Sequence, residues 1–141
     1  MESAFRECTY TDKMMESAYH EAARKMHLSD SEFSILYIFS SYPEGCNQSA
    51  LYKEAYLTKS TVNSAIRKME KKELLYLKPG TGRNTLVFLT ESGKKLMEDT
   101  IYPIIKIENE IYNSWSAEEQ KLFMRLNRDF AERLRDEVEK L

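Results

Sequence analysis

The sequence contains little of what flexible, fibrous or disulfide-stabilised proteins require. Its 141 residues include four Gly, three Pro and two Cys, and no low-complexity segment or short-period repeat occurs. This composition excludes collagen-like and disordered chains and leaves little material for flexible linkers. Cys8 and Cys46 form neither a metal-binding pair nor a disulfide framework, which is typical of a reducing compartment.

Long apolar runs are also missing. No stretch approaches the roughly 18 apolar residues that a membrane-spanning helix needs. The first seven residues, Met-Glu-Ser-Ala-Phe-Arg-Glu, are charged where a signal peptide has its apolar segment. We therefore expect a cytoplasmic protein without a membrane partner.

Recognisable catalytic and metal-binding motifs are absent as well. The sequence has no nucleophile motif, no Gly-rich phosphate loop and no acid–base pair of familiar spacing. His20 and His27 lie seven residues apart, two helical turns, which is too far for a shared metal ion. The sequence predicts no enzyme, no metal site and no cofactor.

The charge is unevenly distributed along the chain. Overall, 21 basic residues face 23 acidic ones for a net charge of −2, but residues 47–95 hold ten basic and four acidic side chains. Closely spaced Lys and Arg release counterions from a polyanion, so a basic middle segment between acidic ends indicates a DNA-binding segment. A solvated, lysine-rich helical surface explains the charge alone equally well.

The N-terminal half has the apolar periodicity of four helices. A first helix is expected at about 4–27, and Ser29 and Glu32 form a capping box before a second helix that is apolar nearly all round and stops at 42–45. Asn47 is expected to cap a short third helix that ends near Ala55, and Thr58 a fourth. Because the second helix is apolar nearly all round, we expect it to lie in the core of the protein.

The fourth predicted helix has two different faces. Its apolar stripe, at i, i+3, i+4 and i+7, consists of Val62, Ala65, Ile66 and Met69. The other face presents short polar side chains and then cations, namely Lys59, Ser60, Asn63, Ser64, Arg67 and Lys71. A merely solvated helix more often interleaves Glu and Lys, whereas the first acid after Thr58 is Glu70. This face favours binding to a nucleic acid.

A β-hairpin is predicted after the fourth helix. Two β-prone runs, 74–78 and 83–90, flank the turn Pro79-Gly80-Thr81-Gly82 and place Arg83 beside the tip. Helix, tight turn, polar-basic helix and hairpin form a winged helix-turn-helix, in which the second helix fits the major groove and the hairpin reaches the flanking DNA. We predict a mainly α fold with a small β-hairpin.

The C-terminal part is predicted to be helical. Thr90 is expected to cap a long apolar helix that Pro103 kinks, and Ser116 and Glu119 form a capping box before a last helix. The apolar stripes of the terminal helices are too long for a lobe of roughly 70 residues to cover. We expect them to drive self-association; the alternative is a single-chain packing of four helices.

At this point the sequence resembles the MarR (multiple antibiotic resistance regulator) family of bacterial transcription factors. Residues 83–94, Arg-Asn-Thr-Leu-Val-Phe-Leu-Thr-Glu-Ser-Gly-Lys, look like that family's wing strand followed by its Leu-Thr-x-x-Gly helix start. Residues 58–62, Thr-Lys-Ser-Thr-Val, with Ile66, Met69 and Glu70, resemble its recognition helix. The resemblance covers essentially the whole chain.

The resemblance implies a homodimeric, sequence-specific transcriptional regulator that binds double-stranded DNA. Residues 1–27 and 101–141 would form a helical dimerisation region that holds two winged lobes, residues 28–100, over a pseudo-palindromic operator. Repression by blocking polymerase is the family default. The competing class is a winged-helix protein-interaction module, whose binding would depend much less on salt than phosphate contacts do.

The resemblance also assigns DNA-binding roles to individual residues. Gln48 and Ser49, at the start of the third helix, match family contacts to phosphate. Arg83 matches the wing arginine, but Thr81 stands where the family commonly has an Asp that braces it, so either the wing is less rigid or Asn84 helps to position Arg83. Base-edge and near-phosphate contacts are expected from Ser60, Thr61, Asn63, Ser64 and Arg67, and nonspecific charge from Lys59, Lys68 and Lys71.

Regulation in this family often uses a small aromatic acid or phenolic effector in a cleft between the winged lobe and the dimer helices. Candidate lining residues are Tyr19, His20, Phe33, Tyr37 and Tyr102; aromatic residues at helical spacing also serve as ordinary core. One branch of the family senses organic peroxides through a cysteine in the first helix, where Cys8 lies. The alternative for Cys8 is a small buried hydrophobic residue.

Overall fold

The computed structural model describes all 141 residues and contains seven helices and three short strands. The helices are α1 Arg6–Lys25, α2 Asp30–Phe39, α3 Gln48–Ala55, α4 Lys59–Lys71, α5 Glu91–Asp99, α6 Ile101–Asn113 and α7 Ala117–Val138. The strands are β1 Cys46–Asn47, β2 Leu75–Pro79 and β3 Thr85–Leu89. The predicted fold class is confirmed. None of the helices is long and apolar enough to cross a membrane.

The chain divides into two compact units, residues 1–102 and 103–141. The core of the first unit lies between α2, α3, α4 and the sheet. The predicted stripe of α4 is buried as expected, and it packs in a core with these fully or nearly fully buried side chains: Ile35, Leu36, Phe39, Leu51, Leu75, Val87, Met97 and Ile101. Burying each large aliphatic or aromatic side chain contributes about 1.5–3 kcal/mol.

Side chains cap four of the helices. Ser29 and Glu32 form the predicted capping box of α2, Thr58 accepts a bond from the Thr61 amide, and Ser116 begins α7 with a second capping box. Asn47 is the N-cap residue of α3, as predicted, but its side chain makes no capping hydrogen bond. Asn47 belongs to β1 and pairs with Leu86 of β3, so the sheet fixes its backbone instead.

The sheet has three antiparallel strands in the order β1-β3-β2, one more than the predicted hairpin. In the hairpin, Tyr76 lies opposite Phe88 and Leu77 opposite Val87. The Gly80 amide donates to the Asn84 carbonyl at 2.7 Å and closes the predicted turn. The two residues of β1 are too few to show an alternating pattern, which is why sequence periodicity missed this strand.

The junction between β3 and α5 explains the Leu-Thr-x-x-Gly motif. The Thr90 hydroxyl accepts a bond from the Gly93 amide at 3.0 Å and donates to the Glu73 carbonyl at 2.5 Å. A Cβ at Gly93 would lie 2.1 Å from the carbonyl oxygen of Leu74. Only glycine fits here, because the start of α5 rests directly on the backbone before β2.

The helix after the wing is interrupted where the sequence predicted a kinked but continuous helix. α5 ends at Asp99, and Thr100 leaves helical geometry with φ −126° and ψ −65°. Pro103 is the third residue of the new helix α6. In the first turn a missing N–H costs no intrahelical bond, so Pro103 begins a helix instead of bending one.

The second unit contains most of α6 and all of α7. The Gln120 amide donates to the Tyr112 carbonyl at 2.9 Å, and the Trp115 ring packs against Phe123 with centroids 5.1 Å apart. These contacts hold the turn between the two helices. α7 has no buried residue, and along it Leu122, Leu126, Phe130, Leu134 and Val138 are 40–54% exposed. This exposed series is called the α7 stripe below.

Candidate nucleic-acid interface and ligand cleft

The exposed face of α4 carries cations that no carboxylate of this chain neutralises. Lys59, Ser60, Thr61, Ser64, Arg67, Lys68 and Lys71 are all exposed. None of these lysines or arginines forms a salt bridge, whereas Lys94 and Lys95 of α5 pair with acids. The α4 face therefore presents net positive charge beside short hydrogen-bonding side chains, which suits a phosphate backbone and base edges.

Asn63 joins α4 to α3 through its side chain. Its Oδ1 accepts hydrogen bonds from Gln48 Nε2 at 2.9 Å and from the Tyr52 hydroxyl. Asn63 and Gln48 are both half-buried and lie near the exposed face of α4. The hydrogen bond between their side-chain amides helps to fix the angle between α3 and α4. Sequence reasoning missed Tyr52, because nothing local shows that residues eleven apart on successive helices meet.

The turn between α3 and α4 exposes an aromatic ring. Tyr56 has φ 51° and ψ 33°, the left-handed region, and is 94% exposed. A non-glycine residue in this region costs about 1–2 kcal/mol. Tyr56 lies two residues before the N-cap of α4, so its ring projects into solvent at the N-terminal end of that helix. The sequence signal that could have identified Tyr56 as a turn residue was its position directly after a short predicted helix.

The start of α3 lies at the edge of the sheet. Ser49, in the first turn, is exposed, and no side chain caps the amide groups there. The positive end of the helix dipole and uncapped N–H groups suit an anion. The predicted phosphate contact of Ser49 is compatible with this position.

The wing places Arg83 in solvent at its tip. Arg83 is exposed and forms no hydrogen bond or ion pair within the chain. Asn84 closes the turn through its backbone, because its carbonyl accepts a hydrogen bond from the Gly80 amide and its amide donates to the Thr81 carbonyl. A role of the Asn84 side chain in positioning Arg83 stays a prediction.

A further cation lies on the wing surface. Lys78 Nζ is 5.6 Å from the centroid of Tyr76 and 5.8 Å from that of Phe88, whose rings stack 5.1 Å apart. Such cation–π contacts hold an ammonium group in place while leaving it charged. Sequence reasoning counted Lys78 in the basic segment but did not single it out, since the pairing depends on strand register.

A cleft of about 790 Å³ lies between α1 and α2 and reaches the last turn of α3. Four of the five predicted effector-binding residues line it: Tyr19, His20, Phe33 and Tyr37. Tyr102 does not line it. Phe33 lies between the two tyrosines, with ring centroids 6.2 Å from Tyr19 and 6.3 Å from Tyr37.

Charged groups surround this aromatic floor. His20 Nδ1 lies 2.9 Å from both carboxylate oxygens of Asp30, and Lys13 Nζ lies 3.0 Å from Glu16 Oε2. Glu54 lines the cleft from α3 and accepts a hydrogen bond from the Tyr42 hydroxyl, which raises the pKa of Tyr42. The cleft thus combines three aromatic rings with three carboxylates, a lysine and a histidine.

Comparison with known proteins assigns the family. The MarR family model matches residues 28–81. The transcriptional regulator HosA of Escherichia coli O111:H- is 30% identical over 103 residues, 72% of this chain and 76% of that protein. The chain belongs to the MarR family. It is therefore a DNA-binding transcriptional regulator, and the resemblance stated above is confirmed.

Solved structures of MarR regulators share the fold at low identity. A MarR family regulator from Neisseria meningitidis has a TM-score of 0.82 at 16% identity, with 99% of each chain covered. The S. aureus MepR–DNA complex has a TM-score of 0.71 at 19% identity, covering 95% of this chain and 99% of that one. NadR in complex with 4-hydroxyphenylacetate has a TM-score of 0.74 at 15% identity, covering 93% and 94%.

The two cysteines of this MarR protein differ in environment. Cys46 is buried, and burial together with the Glu54 charge raises the pKa of its thiol to about 11. Cys46 therefore stays protonated and serves as packing. Cys8 is exposed on α1 in the single chain.

Proposed function

We propose that this MarR protein is a repressor that binds a pseudo-palindromic operator as a homodimer and releases it when a small aromatic effector binds. The observation that carries the DNA part is the exposed α4 face, whose cations have no acidic partner in the chain. An anionic duplex supplies that partner, and a helix of this width fits the major groove.

Each part of the interface has a distinct proposed role. Ser60, Thr61, Ser64 and Arg67 read base edges or nearby phosphates from α4. Asn63 and Gln48 hold α4 against α3 while they lie at the interface, with Tyr52 as their third partner. Further phosphate contacts are proposed for Ser49, Lys59, Lys68, Arg83, Asn84, Lys78 and the ring of Tyr56.

The homodimer is proposed from exposed apolar surface. The α7 stripe is exposed along its whole length, and α1 adds the exposed side chains of Tyr10, Met14 and Met15. A water-soluble regulator does not leave such long apolar series uncovered, so a second copy is the partner we propose. In this arrangement residues 1–27 and 101–141 act in dimerisation and residues 28–100 in DNA binding.

The effector site is proposed at the cleft between α1 and α2. Its volume suits a small molecule, and its floor is aromatic. NadR has been crystallised with a phenolic acid, and MepR both with DNA and in a DNA-binding conformation. Because α3 contributes Glu54 to the cleft and Tyr52 to the contact with α4, a ligand there can act on the DNA-reading helix through α3.

In-vitro selection from random duplex DNA at near-physiological salt tests the proposal. The wild-type protein is compared with Arg67→Ala, Arg83→Ala and, as a control, Lys95→Ala, whose ammonium already pairs with Asp99. We expect a two-fold symmetric consensus that Arg67→Ala relaxes. Arg83→Ala should weaken binding by about 1–3 kcal/mol, the range for a single specific contact, and Lys95→Ala should bind nearly as the wild type does.

Two results would contradict this proposal. The absence of any enriched sequence from a folded, dimeric protein would favour the interaction-module alternative, which should then show binding that changes little with salt. An asymmetric consensus would contradict the dimeric mode of binding while keeping the α4 assignment.

A further inference from the structure

The charges that line the cleft between α1 and α2 are predominantly negative. Glu16, Asp30 and Glu54 supply three carboxylates, against one lysine and one histidine. The two basic groups are already engaged, Lys13 with Glu16 at 3.0 Å and His20 with Asp30 at 2.9 Å. Glu54 accepts a hydrogen bond from the neutral Tyr42 hydroxyl and belongs to none of the salt bridges of the chain. The unbalanced charge of the cleft therefore lies at Glu54.

The aromatic floor of the cleft also favours a positively charged ligand. The faces of Tyr19, Phe33 and Tyr37 carry the negative part of the ring quadrupole, which attracts cations. These rings follow one another at 6.2 Å and 6.3 Å between centroids. A planar ring can pack among them while its positive charge faces a carboxylate.

An aromatic acid fits this lining poorly. Its carboxylate would need a cation, and both available cations hold short contacts to carboxylates of the chain. Taking either cation would leave Glu16 or Asp30 unpaired beside the ligand's own negative charge. Like charges placed together in a partly enclosed site repel strongly.

We propose that the effector of this MarR protein is a small organic cation with a planar aromatic ring system. This inference rests on the effector role proposed above for the cleft, and it sets the charge class of that effector. The ring packs against Tyr19 and Phe33, and the positive group lies toward Glu54. A volume of about 790 Å³ accommodates a ligand of two or three fused rings.

Two fluorescent dyes that share a xanthene ring test the charge preference. Pyronin Y is a cation and fluorescein an anion, and fluorescence anisotropy measures the binding of each to the full chain without DNA. We expect saturable binding of pyronin Y at least about tenfold tighter than that of fluorescein. Glu54→Gln should weaken pyronin Y binding by about fivefold, as expected for one charge at contact distance in a wet cleft.

Two further variants locate the dye. Tyr19→Ala should weaken pyronin Y binding by about tenfold, the loss expected for one aromatic contact. Glu98→Gln removes an exposed carboxylate of α5 that does not line the cleft, so it should leave the dissociation constant unchanged. Melting curves of all variants show that each one folds.

Three results would overturn the inference. If fluorescein binds as tightly as pyronin Y and Tyr19→Ala weakens its binding, the cleft is an effector site without a preference for cations. If pyronin Y binds and Glu54→Gln has no effect, the charge assignment is wrong. If neither dye saturates, the effector role itself fails, while the DNA-binding role stands or falls separately on the selection experiment.

Discussion

Tyr56 occupies a backbone conformation in which glycine or asparagine is common, and its ring contacts solvent. Neither packing nor local geometry explains a tyrosine here. No contact within the single chain compensates for the backbone strain at Tyr56. A contact between its ring and DNA would compensate for it.

Tyr56→Asn should therefore separate stability from binding. We expect the free energy of unfolding to rise by about 1 kcal/mol, because Asn adopts the left-handed region more readily. DNA affinity should fall at the same time. Chemical denaturation and a DNA titration at constant salt measure the two effects; increased stability with unchanged DNA affinity would show that Tyr56 does not contact DNA.

Gly93 is a second residue whose identity is dictated by a neighbour. A methyl group there would collide with the Leu74 carbonyl, which also accepts the Thr90 amide at 3.0 Å. We expect Gly93→Ala to destabilise the fold by at least about 2 kcal/mol, as backbone-displacing overpacking does. Thermal unfolding beside Ser92→Ala, a substitution at an exposed neighbour, checks this. Equal melting temperatures would contradict the steric argument.

At the scale of secondary-structure elements, an ion pair between a buried glutamate and a half-exposed lysine joins the start of α2 to the end of α4. The Glu32 side chain is 8% exposed, caps Ser29, and accepts a hydrogen bond from Lys72 Nζ at 3.1 Å. Burial alone raises the pKa of Glu32, but the bonds from Lys72 and Ser29 outweigh it, so the pKa lies below its ordinary value.

The lowered pKa fixes the sign of a pH effect. The unfolded chain binds a proton at Glu32 more readily than the folded chain does, so this carboxylate stabilises the fold above the ordinary carboxyl pKa. The stabilisation is lost as the pH falls through the lower folded value. Glu32→Gln should therefore destabilise the protein by about 1.5 kcal/mol at neutral pH, the lower end of the range for a hydrogen bond to a charged group, because Lys72 is half exposed.

Urea unfolding of the wild type and of Glu32→Gln between pH 7 and pH 3 measures this effect. The difference in unfolding free energy between the two proteins should shrink as the pH decreases. Glu44→Gln, at an exposed site before β1, serves as a control that should behave like the wild type. A difference independent of pH would show that the ion pair contributes nothing beyond packing.

Sequence patterns predicted the elements well where the cause is local. The caps at Ser29, Thr58 and Ser116 and the buried stripe of α4 follow from residues within one or two helical turns, and all are confirmed. The strand β1 was not predictable in this way, because it exists through its pairing with β3, far along the chain. The break at Thr100 was missed although Pro103, the third residue of α6, is a local signal for the start of a helix.

At the scale of the whole molecule, the α7 stripe is the feature that a single chain leaves unexplained. Association through it would bury five large apolar side chains per chain, each contributing about 1.5–3 kcal/mol when fully covered. Dimerisation also sets the spacing of the two α4 helices, so it determines which operators can be bound.

Leu126→Glu should dissociate the dimer, because it places a charge in the middle of the stripe. Arg128→Glu introduces a carboxylate on the opposite, polar face of α7 and serves as the control. Sedimentation equilibrium should show a dimer for the wild type and Arg128→Glu, and a 16.6 kDa monomer for Leu126→Glu. A wild-type protein that sediments as a monomer would contradict the proposed assembly.

The sequence by itself determined the helices, their caps, the wing turn and the charge of the α4 face, because each follows from residues close together in the chain. It also carried the family, through the motif after β3. Only the tertiary structure decided that Asn63 is held by Tyr52 and Gln48, that Asn84 closes the wing turn through its backbone, and that acidic groups surround the aromatic cleft. Those features depend on the angles at which helices pack, which no local pattern encodes.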